Sequence, residues 1–200
     1  GLEPVSVSNV GEFTFITAPG NDVITISSPN AGETLIAGAT AGVAFESVTL
    51  TNVGHITILT GEGDDSVTID STARLINESI YYDGGSGIDS LTTSGGAAAT
   101  GTTYTVGPDA GSGQIVHVGG GLTQTVTFAG LEPVLDTVAS PTLTINATNA
   151  ANAISYTAGS VAANGLVAID SFETLEFSNK TALVINGLGG GDTISLNNPN

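Results

Sequence analysis

Residues 56–69 read Ile56-Thr57-Ile58-Leu59-Thr60-Gly61-Glu62-Gly63-Asp64-Asp65-Ser66-Val67-Thr68-Ile69. At both ends apolar residues alternate with hydroxyl side chains, Ile56/Ile58 before and Val67/Ile69 after, which is the period of a strand with one buried face. Between them lies a turn of Gly, Asp and Glu, residues that supply positive φ and local side-chain-to-backbone hydrogen bonds. The same strand–turn–strand block returns as FTFITAPGNDVITI from residue 13, LTINATNAANAISY from 143 and LVINGLGGGDTISL from 183.

A second marker keeps step with the first. The tetrapeptides Leu2-Glu3-Pro4-Val5, Phe45-Glu46-Ser47-Val48, Ile88-Asp89-Ser90-Leu91, Leu131-Glu132-Pro133-Val134 and Phe172-Glu173-Thr174-Leu175 start 43, 43, 43 and 41 residues apart. The turn residues Asp22, Asp65, Asn152 and Asp192 follow them by 20, 20, 21 and 20. The chain therefore reads as one continuous array over 1–200, with units starting near 2, 45, 88, 131 and 172, the last incomplete. The third unit departs from the block, running GGAAATGTTYTV.

A further strand-like stretch closes each unit: ETLIAGA, ESIYYD, QIVHVGG and GLVAID. No segment carries helical periodicity, so the expectation is an all-β fold. A parallel β-solenoid of 43-residue repeats is the first choice, because stacking equivalent residues explains why one position stays apolar, acidic or Gly in every copy. Two or three β-sandwich modules in tandem, with boundaries near 87 and 130, come second, and a β-propeller third.

Composition narrows the partners. Two basic residues stand against nineteen acidic ones, for a net charge of −17. Arg74 and Lys180 cannot neutralise a row of phosphates, so nucleic-acid binding is excluded and an anionic membrane surface would repel the chain. There is no Cys, hence no disulfide framework and no thiolate metal site. No apolar run is long enough to insert in a membrane. His55 and His117 have no matching partners in the repeat frame and read as surface or satisfied strand histidines. The Phe residues read as core.

The stretch Gly84-Gly85-Ser86-Gly87-Ile88-Asp89-Ser90-Leu91-Thr92 fits the nonapeptide GGxGxDxUx at every specified position. TGEGDDSVT from 60, GLGGGDTIS from 187 and TAPGNDVIT from 17 fit in part. In this the chain resembles the calcium-binding β-roll of the repeats-in-toxin (RTX) family. The resemblance implies that Gly61, Gly63, Asp65, Gly85, Gly87, Asp89, Gly190 and Asp192 line turns that bind calcium through backbone carbonyls and carboxylates. Family members run their nonapeptides in tandem, whereas Asp65 and Asp89 are 24 residues apart. The 43-residue frame also sets Asp89 level with Glu3, Glu46, Glu132 and Glu173 rather than with the turn acids.

Calcium has a reading from the residues as well, because hard cations want several oxygen ligands. Asp64 and Asp65 on one turn, with Glu62 nearby, form the densest local group, and Asp22 holds the equivalent place in the first copy. The alternative is that these Asp and Asn residues terminate strands by bonding to backbone. The tetrapeptide acids likewise read as outward strand residues that discourage edge pairing.

The expected function is a non-catalytic structural segment of an extracellular bacterial surface or filament protein, self-associating end to end with copies of itself or neighbouring repeats, and calcium-stabilised. The alternatives are an adhesin or a carbohydrate- or ice-binding module, with cell-surface polysaccharide as partner. A β-helix polysaccharide-degrading enzyme using Asp64 and Asp65 comes last, since each candidate carboxylate recurs at a repeat position.

Overall fold

A computed structural model describes residues 4–96 and 99–197; Leu2 and Glu3, which open the first tetrapeptide, lie outside them. The described residues hold no helix. Among the described residues, eighteen strands join in one mixed sheet that does not close into a barrel. They are β1 (Val5–Ile16), β2 (Asp22–Ser27), β3 (Glu33–Thr40), β4 (Val43–Ala44), β5 (Val48–Leu59) and β6 (Ser66–Asp70). Next come β7 (Ser79–Asp83), β8 (Ser90–Ser94), β9 (Gly101–Val106), β10 (Gly113–Gly119), β11 (Leu122–Ala129) and β12 (Val134–Asp136). The last six are β13 (Ser140–Asn146), β14 (Ala153–Ala158), β15 (Gly165–Ile169), β16 (Leu175–Phe177), β17 (Lys180–Asn186) and β18 (Thr193–Asn197).

Most strands stand in parallel columns in which like residues stack. In β1–β5–β7–β11 the register carries Phe13 to Ile56, Ile80 and Val126, and Phe15 to Ile58, Tyr82 and Phe128. In β2–β6–β8–β12–β16 it carries Ile24 to Val67, Leu91, Val134 and Leu175, all five buried. A third column, β9–β13–β17, aligns Tyr104, Ile145 and Ile185, and β14–β18 aligns Ile154 with Ile194. Alternation at period two sends these rows inward, where all of the named residues but Ile194 join one apolar core.

The sheet is mixed rather than parallel throughout. Three strands run antiparallel and tie columns together: β3 between β2 and β5, β10 between β9 and β11, and β15 between β14 and β16. The four closing stretches are thus not equivalent. ETLIAGA, QIVHVGG and GLVAID provide these bridges, whereas ESIYYD forms β7, which lies parallel to β5 at an offset of 24 residues. Equivalent units also change column. Val5 and Val48 of the first two tetrapeptides pair in β1–β5, but Leu91, Val134 and Leu175 of the last three pair in β8–β12–β16. Strand pairing crosses residue 87 through β6–β8 and residue 130 through β8–β12.

Candidate functional site

The Gly- and Asp-rich turns at residues 17–22, 60–65 and 84–89 lie on top of one another. The amide of Gly20 donates to Glu62 O at 2.8 Å, that of Gly63 to Ser86 O at 3.0 Å, and that of Ser86 to Gly61 O at 2.7 Å. Gly61 and Gly63 have φ of 87° and 142°, matched by 88° and 141° at Gly85 and Gly87. A Cβ on Gly87 would stand 1.7 Å from Gly63 O, so the close stacking of the turns itself requires glycine there.

Within this stack the inner carboxylates form a ladder. The amide of Asp22 donates to Asp65 Oδ1 at 2.7 Å, and the amide of Asp65 to Asp89 Oδ1 at 2.9 Å. The carboxylate of Asp22 accepts the hydroxyls of Thr17, at 2.5 Å, and Thr40. All three Asp residues are buried. An outer ladder runs beside it: the Asp64 amide donates to Asn21 Oδ1 at 3.1 Å and the Ile88 amide to Asp64 Oδ1 at 3.0 Å. Asp64 itself is exposed, so the adjacent pair Asp64 and Asp65 does not converge on one point. Asn152 and Asp192 repeat the device in a separate stack near the C-terminal end. There the Asn152 amide donates to Asp192 Oδ1 at 2.9 Å, and a Cβ on Gly190 would meet Ala150 O at 2.2 Å.

Asp89 therefore belongs to the column of turn acids, a correction to the alignment that set it apart from them. It belongs to the tetrapeptide column too, since the Glu132 amide donates to Asp89 O at 2.6 Å. The physical reason is the 24-residue offset between β6 and β8, which brings GGSGIDSLT directly onto TGEGDDSVT although the sequence repeat is 43. The tetrapeptide acids are also not uniformly solvated: Glu173, like Asp89, is buried, while Glu132 is exposed.

Two carboxylate oxygens in the ladder, Asp65 Oδ2 and Asp89 Oδ2, are buried without a hydrogen-bond donor, as is the hydroxyl of Tyr82. Burial pushes the Asp89 carboxyl above the ordinary aspartate range; the hydrogen bond from the Asp65 amide opposes this, and the charges of Asp65, Glu132 and Asp64 add to it. Burial likewise raises the Tyr82 hydroxyl, against a lowering by Thr60 and helped by the carboxylates of Asp89, Asp65 and Asp22. Among the described residues, no group of three or more His, Asp or Glu is arranged to hold a metal ion.

A second polar cluster was not foreseen from the sequence. Asp136 ends β12 at a core position, aligned with Thr93, Ile69 and Ile26 on one side and Phe177 on the other. Its Oδ1 accepts from the Thr93 hydroxyl at 2.8 Å, His117 Nε2 at 3.0 Å and the Val138 amide at 3.1 Å. Lys180 Nζ stands 2.8 Å from Oδ2 and donates to Val138 O, with its side chain only 2% exposed. Burial alone would raise the Asp136 carboxyl, but His117 and Lys180 outweigh it and hold the group below the usual range.

The cluster continues through β10 and β11. Gln124 Oε1 accepts from Ser71 Oγ at 2.9 Å and the Ile76 amide at 2.8 Å, which turns its Nε2 toward His117 Nδ1 at 3.4 Å. That orientation makes Nδ1 the acceptor and leaves the His117 proton on Nε2, facing Asp136. His117 is thus the satisfied strand histidine expected of it, fully buried, whereas His55 is half-buried with Nδ1 2.8 Å from Ser79 Oγ. Asp136 left one legible sign: five residues into its tetrapeptide frame, where Leu50 and Phe177 are apolar, this copy has an acid.

Two openings in the surface involve Tyr156. One of about 190 Å³ is lined by Tyr156, Phe177, Asn179 and Lys180, and one of about 370 Å³ by Tyr156, Leu183, Ile185, Ile194 and Leu196. No family model, curated protein or solved structure matches the chain.

Proposed function

We propose that the chain is a non-catalytic structural segment of an extracellular surface or filament protein of the bacterial kind, in which the columns wind as a solenoid and continue end to end. One observation carries this reading. At the C-terminal end the inner face of the last strands is uncovered: Ile194 is 48% and Leu196 70% exposed, and both line the 370 Å³ opening with Leu183 and Ile185. Among the described residues β17 pairs with β13 and β18 with β14, so each offers a free edge, and at the other end β1 pairs with β5 and offers a third. Free edges and uncovered core positions are what a further layer of strands would bury. A second copy, or the next repeat of the same array, would supply that layer.

The test is light scattering and electron microscopy of the chain over a range of concentrations, beside the double variant Ile194→Asp, Leu196→Asp. The expected outcome is rods or end-to-end oligomers that grow with concentration and are lost in the variant. A monomer that persists unchanged at high concentration would sink the reading.

Calcium in the turns is a second reading, favoured by the buried, donor-less Oδ2 atoms of Asp65 and Asp89. Melting in calcium and in chelator, for the wild type and for Asp89→Asn, separates the cases. A calcium-held turn shows a calcium response that the variant loses, and a turn held by hydrogen bonds alone shows no response in either.

A further inference from the structure

The polar cluster around Asp136 contains one of the two basic side chains in the protein, withdrawn almost wholly from water. An isolated ion pair in a core is a costly arrangement, because desolvation of both ions offsets much of their attraction. Here the surroundings are asymmetric in a way that an ion pair does not need. Three donors, the Thr93 hydroxyl, His117 Nε2 and the Val138 amide, converge on Oδ1 within 2.8–3.1 Å. Oδ2 faces Lys180 Nζ at 2.8 Å and takes none of these three donors. One carboxylate oxygen is held where negative charge would build up on attack at the carbonyl carbon, and the other faces the nitrogen.

We propose that Lys180 and Asp136 condense, within the folded chain, to an amide cross-link between the two side chains. The resting pair is ammonium and carboxylate, so Nζ first passes one proton to Oδ2 across their 2.8 Å contact, which gives a neutral amine and a carboxylic acid; the amine lone pair then forms the bond to Asp136 Cγ and Nζ passes a second proton to Oδ2. The Cγ–Oδ2 bond breaks, Oδ2 takes both protons and departs as water, and the amide nitrogen keeps the third proton. No other reactant is consumed.

The three donors to Oδ1 stabilise the tetrahedral intermediate, and Val138 O, which accepts from Nζ, fixes the approach of the nitrogen. His117 is a positioning residue as well as a donor, since Gln124 holds its proton toward Asp136. The fold brings the two groups together in a water-poor site, which supplies the high effective concentration that the reaction lacks between free side chains. It also replaces two buried charges by one neutral amide. The product would join β12 to β17 covalently, so that tension along the chain bypasses residues 137–179. It goes beyond the structural reading above and does not depend on association between chains.

The sequence provides a direct test. Arg74 and Lys180 are its two tryptic sites. Protein purified in the folded state, incubated at neutral pH, then denatured and digested with trypsin, is expected to yield fragment 75–200 uncut at Lys180 and lighter than calculated by one water. The Lys180→Arg variant, whose guanidinium is not a nucleophile under these conditions, is expected to be cut after residue 180 and to show the full calculated mass. Any uncut fraction that grows with incubation supports the cross-link. Complete cleavage after Lys180 in the wild type overturns it, and so does the loss of a water confined to a peptide containing Asp136 but not Lys180.

Discussion

The backbone amide of Asp65 donates to the carboxylate of Asp89 at 2.9 Å across 24 residues, the same contact that Asp22 makes with Asp65 across 43. One hydrogen-bonding rule thus spans two sequence offsets. What repeats in space is the turn, and the length of chain between turns is free to vary as long as each carboxylate meets the amide of a stacked neighbour.

The ladder has a pH signature. The Asp89 carboxyl lies above its ordinary value because it is buried among other acids, so the folded chain holds that proton more tightly than the unfolded chain does. Its favourable contribution is present below the unfolded value and is lost as pH rises through the folded one. Replacement by Asn keeps an Oδ1 acceptor for the Asp65 amide and removes the charge, as Asn152 does in the other stack. Asp89→Asn is therefore expected to gain in melting temperature relative to wild type between pH 4 and pH 7, measured by thermal denaturation across that range. A constant difference at all pH values would contradict it.

Two glycines of the same turns should differ sharply. Gly87→Ala places a Cβ 1.7 Å from Gly63 O and is expected to cost at least about 3 kcal/mol, since backbone must move. Gly61 also has positive φ, but nothing lies within 4 Å of its added Cβ. Gly61→Ala is expected to cost only about 1–2 kcal/mol, the backbone penalty alone. Urea denaturation of the two variants measures the difference.

Gln124 joins Ser71, Ile76 and His117 in a site without water access. Gln124→Leu leaves two donors and one acceptor unpaired, with an expected loss of about 2–4 kcal/mol. A change below about 0.5 kcal/mol in chemical denaturation would mean that the network contributes little.

Depth along the array should grade the cost of truncation. Leu175 is fully buried in its column and Leu175→Ala is expected to cost about 2–5 kcal/mol. Leu196 is 70% exposed, so Leu196→Ala should cost under about 0.5 kcal/mol in dilute, unassociated protein. Under associating conditions the gap should narrow, because the neighbouring copy would bury Leu196.

The strands were legible because alternation at period two is local: Ile56/Ile58 and Val67/Ile69 are inward in the fold as in the pattern. The turn columns were legible in part, since Gly and Asp at fixed spacing mark where chains stack closely. The polar cluster at Asp136 was not. Thr93, His117, Gln124, Asp136 and Lys180 lie on five different strands, and no spacing in the sequence relates Lys180 to His117 or to Gln124.

The sequence by itself determined the all-β class, the inward rows of apolar residues and the Gly-Asp turns, because each depends on neighbours within a few positions. Only the tertiary structure decided which copies stack. The register of 24 between β6 and β8, the column change between the second and third tetrapeptides, and the meeting of Asp136 with Lys180 all follow from how strands far apart in sequence satisfy one another's backbone hydrogen bonds. Many offsets satisfy the alternation equally well, and the choice among them falls to packing and to buried polar groups that must find partners.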